Sequence, residues 1–304
     1  MAGFLLQNME NNSNHKILAI FNGRNFANKK VDSLLQFFDN QAIDYIFTSK
    51  KDRIDDILKD KNQYEGYLIF GGDGTIHETI NQIYGSEKWI SFFPGGTVNC
   101  ISGYFKMKRT VPFLKSFLQN NYTQQYDVIK ADFFRDNQHF TKYVLGFITI
   151  GHLASMTIDA EEYRWMPRFI RYPYVGFLSF FRIRRFKIDI NTAHSQEKNK
   201  TLTSIIINNC SAERFSSLQK SSITDGKFEY LLENNNLFSQ IASIYSQYYS
   251  FSSKSKWITT SNLLTIDFKK PIPVMADGEI YEDVTKLELE IKPSSLKIKL
   301  PLNK

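Results

Sequence analysis

Cysteine is nearly absent from this sequence, and no apolar run is long enough to cross a bilayer. Two cysteines, Cys100 and Cys210, cannot build a disulfide framework or, by themselves, a zinc site with four ligands. A membrane-spanning helix needs about 20 predominantly apolar residues in a row. Residues 1–15 lack the basic start of a secretory signal peptide, and Ala2 stands where N-myristoylation requires glycine. These absences disfavour secreted and integral membrane proteins and predict a cytoplasmic protein.

The overall composition is that of a globular protein with an excess of positive charge. The 304 residues are 42% hydrophobic and 23% charged, a balance that excludes a chain disordered over its whole length. By length the chain suits two domains. Its net charge of +7 favours anionic partners, which include nucleotides, nucleic acids and acidic membrane surfaces.

The first part of the chain, residues 15–125, alternates short apolar runs with stretches of helical spacing. Apolar residues from Val31 to Phe38, for example, repeat at the i, i+3, i+4, i+7 positions of one helix face. Strand and helix in alternation predict an α/β domain with a parallel sheet that helices cover. Ligands of such sheets bind at the carboxyl ends of the strands. The predicted strands are 16–21, 43–47, 67–70 and 90–93.

In the second part of the chain, residues 126–289, short strand-like runs dominate. Several of them alternate apolar with polar residues, as residues 287–291 do. Alternation of this kind is typical of antiparallel strands with one buried face. The sequence therefore predicts a second domain, a C-terminal antiparallel β-sandwich. Residues 139–150 are predicted to form one strand, and the polar stretches 191–201 and 233–236 are predicted to be loops.

A glycine-rich turn, GGDGT at residues 71–75, follows the third predicted strand. Glycines there let the backbone approach a ligand closely, and the N-terminus of the next helix favours a phosphate. Thr75 and Glu78 have the T-x-x-E spacing of a capping box, which predicts a helix that starts at Thr75. The Asp73 carboxylate beside a phosphate suggests a bridging Mg²⁺. A tight turn in which Asp73 merely caps the helix is the alternative.

Two further features contribute to the same prediction. A second glycine turn, FPGGTVN at residues 93–99, follows the fourth strand, and two such loops on neighbouring strands would form one anion-binding edge. Asp277 lies in a bend between two strand-like runs, where it either serves as a general base for a hydroxyl or is only a turn residue. His77 is predicted to be a solvated helix residue.

These motifs resemble those of the diacylglycerol kinase catalytic-domain superfamily, which includes bacterial lipid kinases and eukaryotic diacylglycerol, sphingosine and ceramide kinases. The similarity rests on GGDGT-x-HE-x-x-N at 71–81, PGGTVN at 94–99, ITDGKFEY at 223–230 and MADGE at 275–279. GGDGT alone would also suit NAD kinases and phosphofructokinases. The two later motifs favour lipid kinases.

The resemblance implies an NAD kinase/phosphofructokinase-like α/β domain, which residues 290–304 complete, followed by a β-sandwich domain that binds the lipid. It implies ATP and Mg²⁺ as cofactors, Asp277 as the general base with support from Glu279, and Asp225 as part of a Mg²⁺ site. The implied nucleotide contacts are Asn22, Gly71, Gly72, Asp73, Gly74, Thr75, Gly96, Thr97 and Asn99.

The chain departs from the family pattern at two places near these motifs. Residues 23–25 (GRN) follow Asn22 where the family usually has proline and glycine. Cys100 stands in place of an aspartate that, in bacterial relatives, joins a charge network with a lysine and the aspartate of the DG motif. Lys29 or Lys30 would be that lysine. A thiol is an anion at neutral pH only when its pKa is lowered.

Residues 163–187 combine seven arginine or lysine residues with interleaved aromatic residues and contain no acidic residue. Aromatic rings lie at membrane interfaces, where arginine side chains contact lipid phosphates. The segment therefore predicts docking on anionic phospholipids, and a buried aromatic helix with solvated arginines is the alternative. Nucleic-acid binding would use the same residue types, but no nucleic-acid motif accompanies them.

Together these observations predict an ATP-dependent lipid kinase, peripherally associated with a membrane, that phosphorylates a lipid hydroxyl. Diacylglycerol, which would give phosphatidate, is the first candidate substrate, and a sphingoid base is the second. The alternatives are an NAD kinase-like kinase of a soluble small molecule and a catalytically inactive nucleotide- or lipid-binding module, which Cys100 motivates. No nucleic-acid partner is expected, and the assembly is left open between a monomer and a homodimer.

Overall fold

Strands from both halves of the chain join in one sheet in the computed structural model, which describes most of the sequence. The described residues are 16–26, 31–49, 54–59, 63–96, 99–136, 138–163, 165–181, 185–193, 195–210, 221–234 and 257–301. No helix within these ranges is long and apolar enough to cross a membrane.

The first half of the chain forms the predicted parallel sheet, with strands β1 (Lys16–Asn22), β2 (Asp44–Thr48), β3 (Tyr64–Gly71) and β4 (Trp89–Pro94) in the order β4-β3-β1-β2. Alternate residues of β1 pack into two separate apolar clusters, so both faces of the sheet are buried. The accompanying helices are α1 (Gly23–Phe26), α2 (Asp32–Asn40), α3 (Ile54–Leu58), α4 (Asp73–Ile83), α5 (Cys100–Tyr104) and α6 (Val111–Leu118).

The second half is rich in antiparallel strands that share a third apolar cluster. The predicted fold class is therefore confirmed. The strands are β5 (Thr123–Arg135), β6 (Gln138–Val144), β7 (Phe147–Gly151), β8 (Phe186–Asn191), β9 (Gln196–Leu202), β10 (Ser204–Asn208), β11 (Phe228–Glu233), β12 (Ile258–Thr260), β13 (Leu264–Ala276) and β14 (Glu279–Lys299). Between β7 and β8 lie α7 (His152–Glu162) and α8 (Arg168–Phe180).

The long strand β14 connects the two halves. It pairs antiparallel with β13 and β5, and Ile298 near its end pairs parallel with Ile90 of β4. The domain limits proposed from the sequence, near residues 125 and 290, both fall inside strands, β5 and β14, that pair with each other across the junction. These limits therefore remain predictions.

Two local predictions were wrong, and a third lies partly outside the described residues. Residues 139–150 form two strands, because the chain breaks at Leu145 and Gly146 to bind a carboxylate described below. Residues 191–201 are not all loop, since they contain most of β9, an exposed edge strand that pairs only with β8 among the described strands. Such a strand has no buried face and hence no alternation of apolar residues. Of the predicted loop 233–236, residues 235 and 236 lie outside the described residues.

One acidic side chain in this half, Glu233, has a pKa that burial alone raises. Glu233, at the end of β11, is buried, and loss of solvation raises the pKa of its carboxyl to about 7. A carboxyl with a raised pKa favours the folded state below its unfolded pKa and loses that contribution as pH rises through the folded value.

We expect Glu233→Gln to stabilise the protein increasingly as pH rises from about 4.5 to about 7, by up to about 3 kcal/mol, and to change little at pH 4. Thermal unfolding of the variant and the parent at matched pH values measures this difference. Glu282→Gln is the control, because it removes the same charge from an exposed position. A constant difference across the pH range would contradict the burial argument.

Candidate active site

Loops that follow β1, β3 and β4 meet at the carboxyl edge of the parallel sheet, where α/β folds bind ligands. Asn22, at the end of β1, donates from Nδ2 to Oγ1 of Thr75 at 2.7 Å. The N–H groups of Gly95 and Gly96 both donate to the carbonyl oxygen of Gly71, at 2.8 and 3.2 Å. The first and second glycine turns are therefore hydrogen-bonded to each other, as their positions on neighbouring strands predicted.

The two glycine turns approach each other so closely that side chains would not fit. A Cβ atom on Gly96 would lie 2.5 Å from Cα of Gly72. Asn99 fixes the second turn, because its Oδ1 accepts from Gly96 N at 2.7 Å and its Nδ2 donates to Gly96 O at 2.9 Å. Asn99 itself has a left-handed backbone with φ of 57°. Thr97 lies outside the described residues.

Helix α4 begins at Asp73, two residues earlier than the capping-box spacing predicted. Gly72 is the N-cap and makes no side-chain capping bond. The Thr75 hydroxyl accepts from Asn22 instead of capping the helix. The N–H groups in the first turn of an α-helix have no carbonyl partner within the helix, and the positive end of its dipole favours an anion. The start of α4 therefore suits a phosphate group.

Asp73 fixes the neighbouring helix α5. Its Oδ2 and Oδ1 accept from the N–H groups of Cys100 and Ile101, both at 3.0 Å. Burial raises the pKa of the Asp73 carboxyl to about 6, while the two N–H donors act in the opposite direction. Since both oxygens have backbone donors, the described geometry gives Asp73 a positioning role for α5, and its Mg²⁺ bridge remains a prediction.

Asp277 and Gly278 form the two-residue turn between β13 and β14. Their φ values of 47° and 91° are both positive, as in a type I′ hairpin turn. The Asp277 side chain is fully buried. Its Oδ2 accepts from Leu145 N at 2.8 Å, and its Oδ1 accepts from Gly146 N and Phe147 N, both at 2.9 Å. A Cβ atom on Gly146 would lie 2.6 Å from Oδ1, so a side chain there would displace the carboxylate.

His77 is buried against this carboxylate, which corrects the prediction of a solvated residue. Its Nδ1 lies 3.4 Å from Oδ2 of Asp277, and its Nε2 lies 2.8 Å from the hydroxyl of Tyr281. Asn81, one turn further along α4, exchanges hydrogen bonds with the backbone of Tyr143. One face of α4 thus connects the glycine turn to the second half of the chain.

Glu279 lies directly on the first turn of α4. A Cβ atom on Gly74 would collide with Oε1 of Glu279, and one on Gly278 would lie 3.3 Å from Gly74 N. Glu279 is half-buried, unlike Asp277. The structure therefore brings two carboxylates from the β13–β14 hairpin together with the first glycine turn.

Asp225 is exposed and accepts from Lys227 N at 3.1 Å. Among the residues that the structure describes, no group of three histidine, cysteine or acidic side chains could hold a metal ion. The Mg²⁺ role of Asp225 therefore remains a prediction. Lys29 and Lys30 lie outside the described ranges.

Asp127 is a buried residue that the sequence motifs did not identify. Its carboxylate accepts from Gly226 N and Ser294 N, both at 2.7 Å, and so joins the turn at residues 225 and 226 to β14. The two cysteines, Cys100 and Cys210, are also buried. Burial, with smaller contributions from the nearby carboxylates, raises the pKa of the Cys210 thiol well above its usual value. Cys210 is therefore neutral, like the hydrophobic residues that it packs against.

Comparisons with known proteins point to the same family as the sequence motifs. Residues 16–131 match the sequence model of the Diacylglycerol kinase catalytic domain. The chain is 22% identical over 260 residues to a Staphylococcus carnosus protein named "putative lipid kinase", with 80% of each chain covered.

Solved structures show the same fold at low identity. A "putative diacylglycerol kinase" from Bacillus anthracis str. Sterne superposes with a TM-score of 0.72 at 17% identity, over 97% of this chain and 98% of that one. An NAD kinase from Archaeoglobus fulgidus in complex with ATP superposes with a TM-score of 0.55 at 10% identity, over 94% of each chain. The resemblance predicted from the motifs is thus confirmed, since residues 16–131 match the Diacylglycerol kinase catalytic domain and the similar proteins carry lipid kinase or diacylglycerol kinase names.

Proposed function

We propose that this protein is an ATP-dependent kinase that transfers a phosphoryl group to the hydroxyl of diacylglycerol and so produces phosphatidate. The observation that carries the proposal is the contact between the β13–β14 hairpin and the first turn of α4. This contact brings carboxylates to a helix N-terminus that suits a phosphate group. Phosphoryl transfer to an alcohol needs this combination of phosphate positioning and a proton acceptor.

The nucleotide would be held by the three loops at the carboxyl edge of the sheet. The residues in question are Asn22, Gly71, Gly72, Asp73, Gly74, Thr75, Gly96 and Asn99. The glycines permit close approach, the N–H groups at the start of α4 bind phosphate oxygens, and Asp73 positions α5 beside them. ATP, entering as its Mg²⁺ complex, supplies the phosphoryl group and part of the charge neutralisation.

Asp277 is the proposed proton acceptor, and its contacts show how the carboxylate is oriented and where a substrate hydroxyl would approach it. Three backbone donors orient the carboxylate. The distance from Asp277 Oδ2 to His77 Nδ1 is 3.4 Å, the longest of the polar contacts that Asp277 makes. A substrate hydroxyl would compete with His77 for Oδ2. Glu279 is the second candidate, because it is half-buried and adjoins Gly74.

Diacylglycerol is proposed over soluble substrates because of the names of two similar proteins. The Staphylococcus carnosus protein is named a "putative lipid kinase", and the Bacillus anthracis protein is named a "putative diacylglycerol kinase". The test is incubation of the purified chain with γ-labelled ATP and, separately, diacylglycerol, sphingosine, ceramide or NAD, followed by separation of the labelled product. Labelled phosphatidate supports the proposal. Label on another acceptor reassigns the substrate, and nucleotide binding without transfer to any acceptor overturns the kinase activity.

We expect Asp277→Asn to lower phosphoryl transfer by about 10²–10⁴-fold, the range for a positioned general base, while ATP affinity is retained. The amide would also oppose one of three backbone donors, so a stability loss of about 1–3 kcal/mol is expected. Glu279→Gln, which keeps the shape of the side chain, should lower transfer less. A larger loss in Glu279→Gln than in Asp277→Asn would make Glu279 the base. Turnover, ATP calorimetry and thermal unfolding are measured on the same preparations.

A second prediction tests the phosphate loops. Gly96→Ala would push the two glycine turns apart, because its Cβ atom would lie 2.5 Å from Gly72 Cα, and we expect ATP to bind about tenfold more weakly. Gly103→Ala is the matched control in α5, where a Cβ atom meets nothing within 4 Å. Equal ATP affinity in both variants would exclude this edge of the sheet as the nucleotide site.

A further inference from the structure

Helix α8 exposes a row of large apolar side chains. Ile170, Tyr174, Phe177 and Phe181 follow one another at the i, i+4, i+7, i+11 spacing of one helix face, and their exposed fractions are 47%, 38%, 64% and 69%. Trp165, just before the helix, is 75% exposed. Of the nine large hydrophobic side chains that are exposed among the described residues, these five lie in this one segment. We call Ile170, Tyr174, Phe177 and Phe181 the α8 stripe.

The opposite face of α8 is buried and contains polar side chains, whereas an ordinary surface helix buries its apolar face and exposes its polar one. Arg171, Val175 and Ser179 follow the i, i+4, i+8 spacing and are buried, two of them although they are polar. This arrangement differs from the alternative of a buried aromatic helix with solvated arginines, because among the described side chains of α8 Arg171 is buried while Tyr174 and Phe177 are exposed. A helix that buries an arginine and presents aromatic rings to solvent has an outward face suited to an apolar surrounding.

The charges of the segment that contains the stripe indicate that the apolar surrounding is a membrane with anionic headgroups. Residues 163–187 contain seven cationic and no acidic side chains, and Arg185 and Lys187, beyond the helix, are exposed. Anionic headgroups would attract these cations, while the aromatic rings enter the interface. A second copy of the chain that packed stripe against stripe would place like charges opposite each other, which is unfavourable.

We propose that the α8 stripe inserts into the interface of a bilayer that contains anionic phospholipids. This inference rests on the proposed function, because a lipid kinase has to reach a substrate that is dissolved in a bilayer. The chain also connects the stripe to the site. The N–H of Phe147, the first residue of β7, binds Asp277, α7 begins directly after β7 at His152, and α8 follows α7.

The test compares Phe177→Ser/Phe181→Ser with the parent protein. In the structure these two rings contact each other edge to face and are more than half exposed, so the fold should not depend on them. Neutral serine leaves the net charge unchanged. Leu263→Ser is the control, since Leu263 is 52% exposed in a different segment. Sedimentation with vesicles of phosphatidylcholine and phosphatidylglycerol in equal amounts measures binding.

We expect the parent protein and the control to bind these vesicles, and the double serine variant to bind at least about tenfold more weakly, because it loses two aromatic rings from the interface. Equal binding of the double variant, or no vesicle binding by the parent, overturns the proposal. Conversion of a parent dimer to a monomer by the double variant would assign the stripe to self-association and also overturns it.

A parallel assay separates this inference from the kinase activity. With a short-chain diacylglycerol that is dispersed in water, the double variant should phosphorylate at the parent rate, whereas with diacylglycerol in vesicles it should be about tenfold slower. Vesicle binding that depends on the stripe, in a protein that phosphorylates no lipid, would support the docking surface and reject the proposed function. Equal loss in both assays would show that the stripe acts on the fold or the site, against membrane docking.

Discussion

The fully buried carboxylate of Asp277, which accepts hydrogen bonds from three consecutive backbone N–H groups, is the interaction on which the site depends. Burying an ionised group is costly unless hydrogen bonds replace its solvation, and here residues 145–147 supply them. The bonds hold the β13–β14 hairpin against the β6–β7 connection. That hairpin in turn contacts the first turn of α4. The position of the hairpin carboxylates relative to the first glycine turn therefore follows from one group.

Two further aspartates work in the same way. Asp73 binds the N–H groups that start α5, and Asp127 binds those of Gly226 and Ser294. In each case a carboxylate accepts from backbone N–H groups at a helix start, in a turn or at an irregularity in a strand. Carboxylates are strong acceptors, so a few of them can fix several loops at the junction of two halves. The aspartates next to glycine in these motifs, Asp73 and Asp277, thus fix the backbone of neighbouring segments through hydrogen bonds.

Periodicity and glycine motifs were sufficient to predict the α/β first half, the antiparallel second half and the meeting of the two glycine turns. These features depend on local patterns that sequence displays directly. The burial of His77, the break at Gly146 and the role of Asp127 depend on contacts between residues far apart in sequence. One signal for His77 was present, since Asp73, His77 and Asn81 share one face of α4 at i, i+4, i+8 spacing. A polar row on an otherwise buried helix indicates partners that a single sequence does not name.

The pairing of Ile298 with Ile90 has a consequence for how the chain folds during synthesis. The first half emerges from the ribosome long before β14, so the edge of β4 that β14 later occupies has no strand partner in that interval. An open edge of a parallel sheet is a template for pairing with other chains. Closing it late requires a loop that includes most of the protein, which is slow. The nascent chain is therefore most prone to aggregate after its first half is translated and before β14 is released.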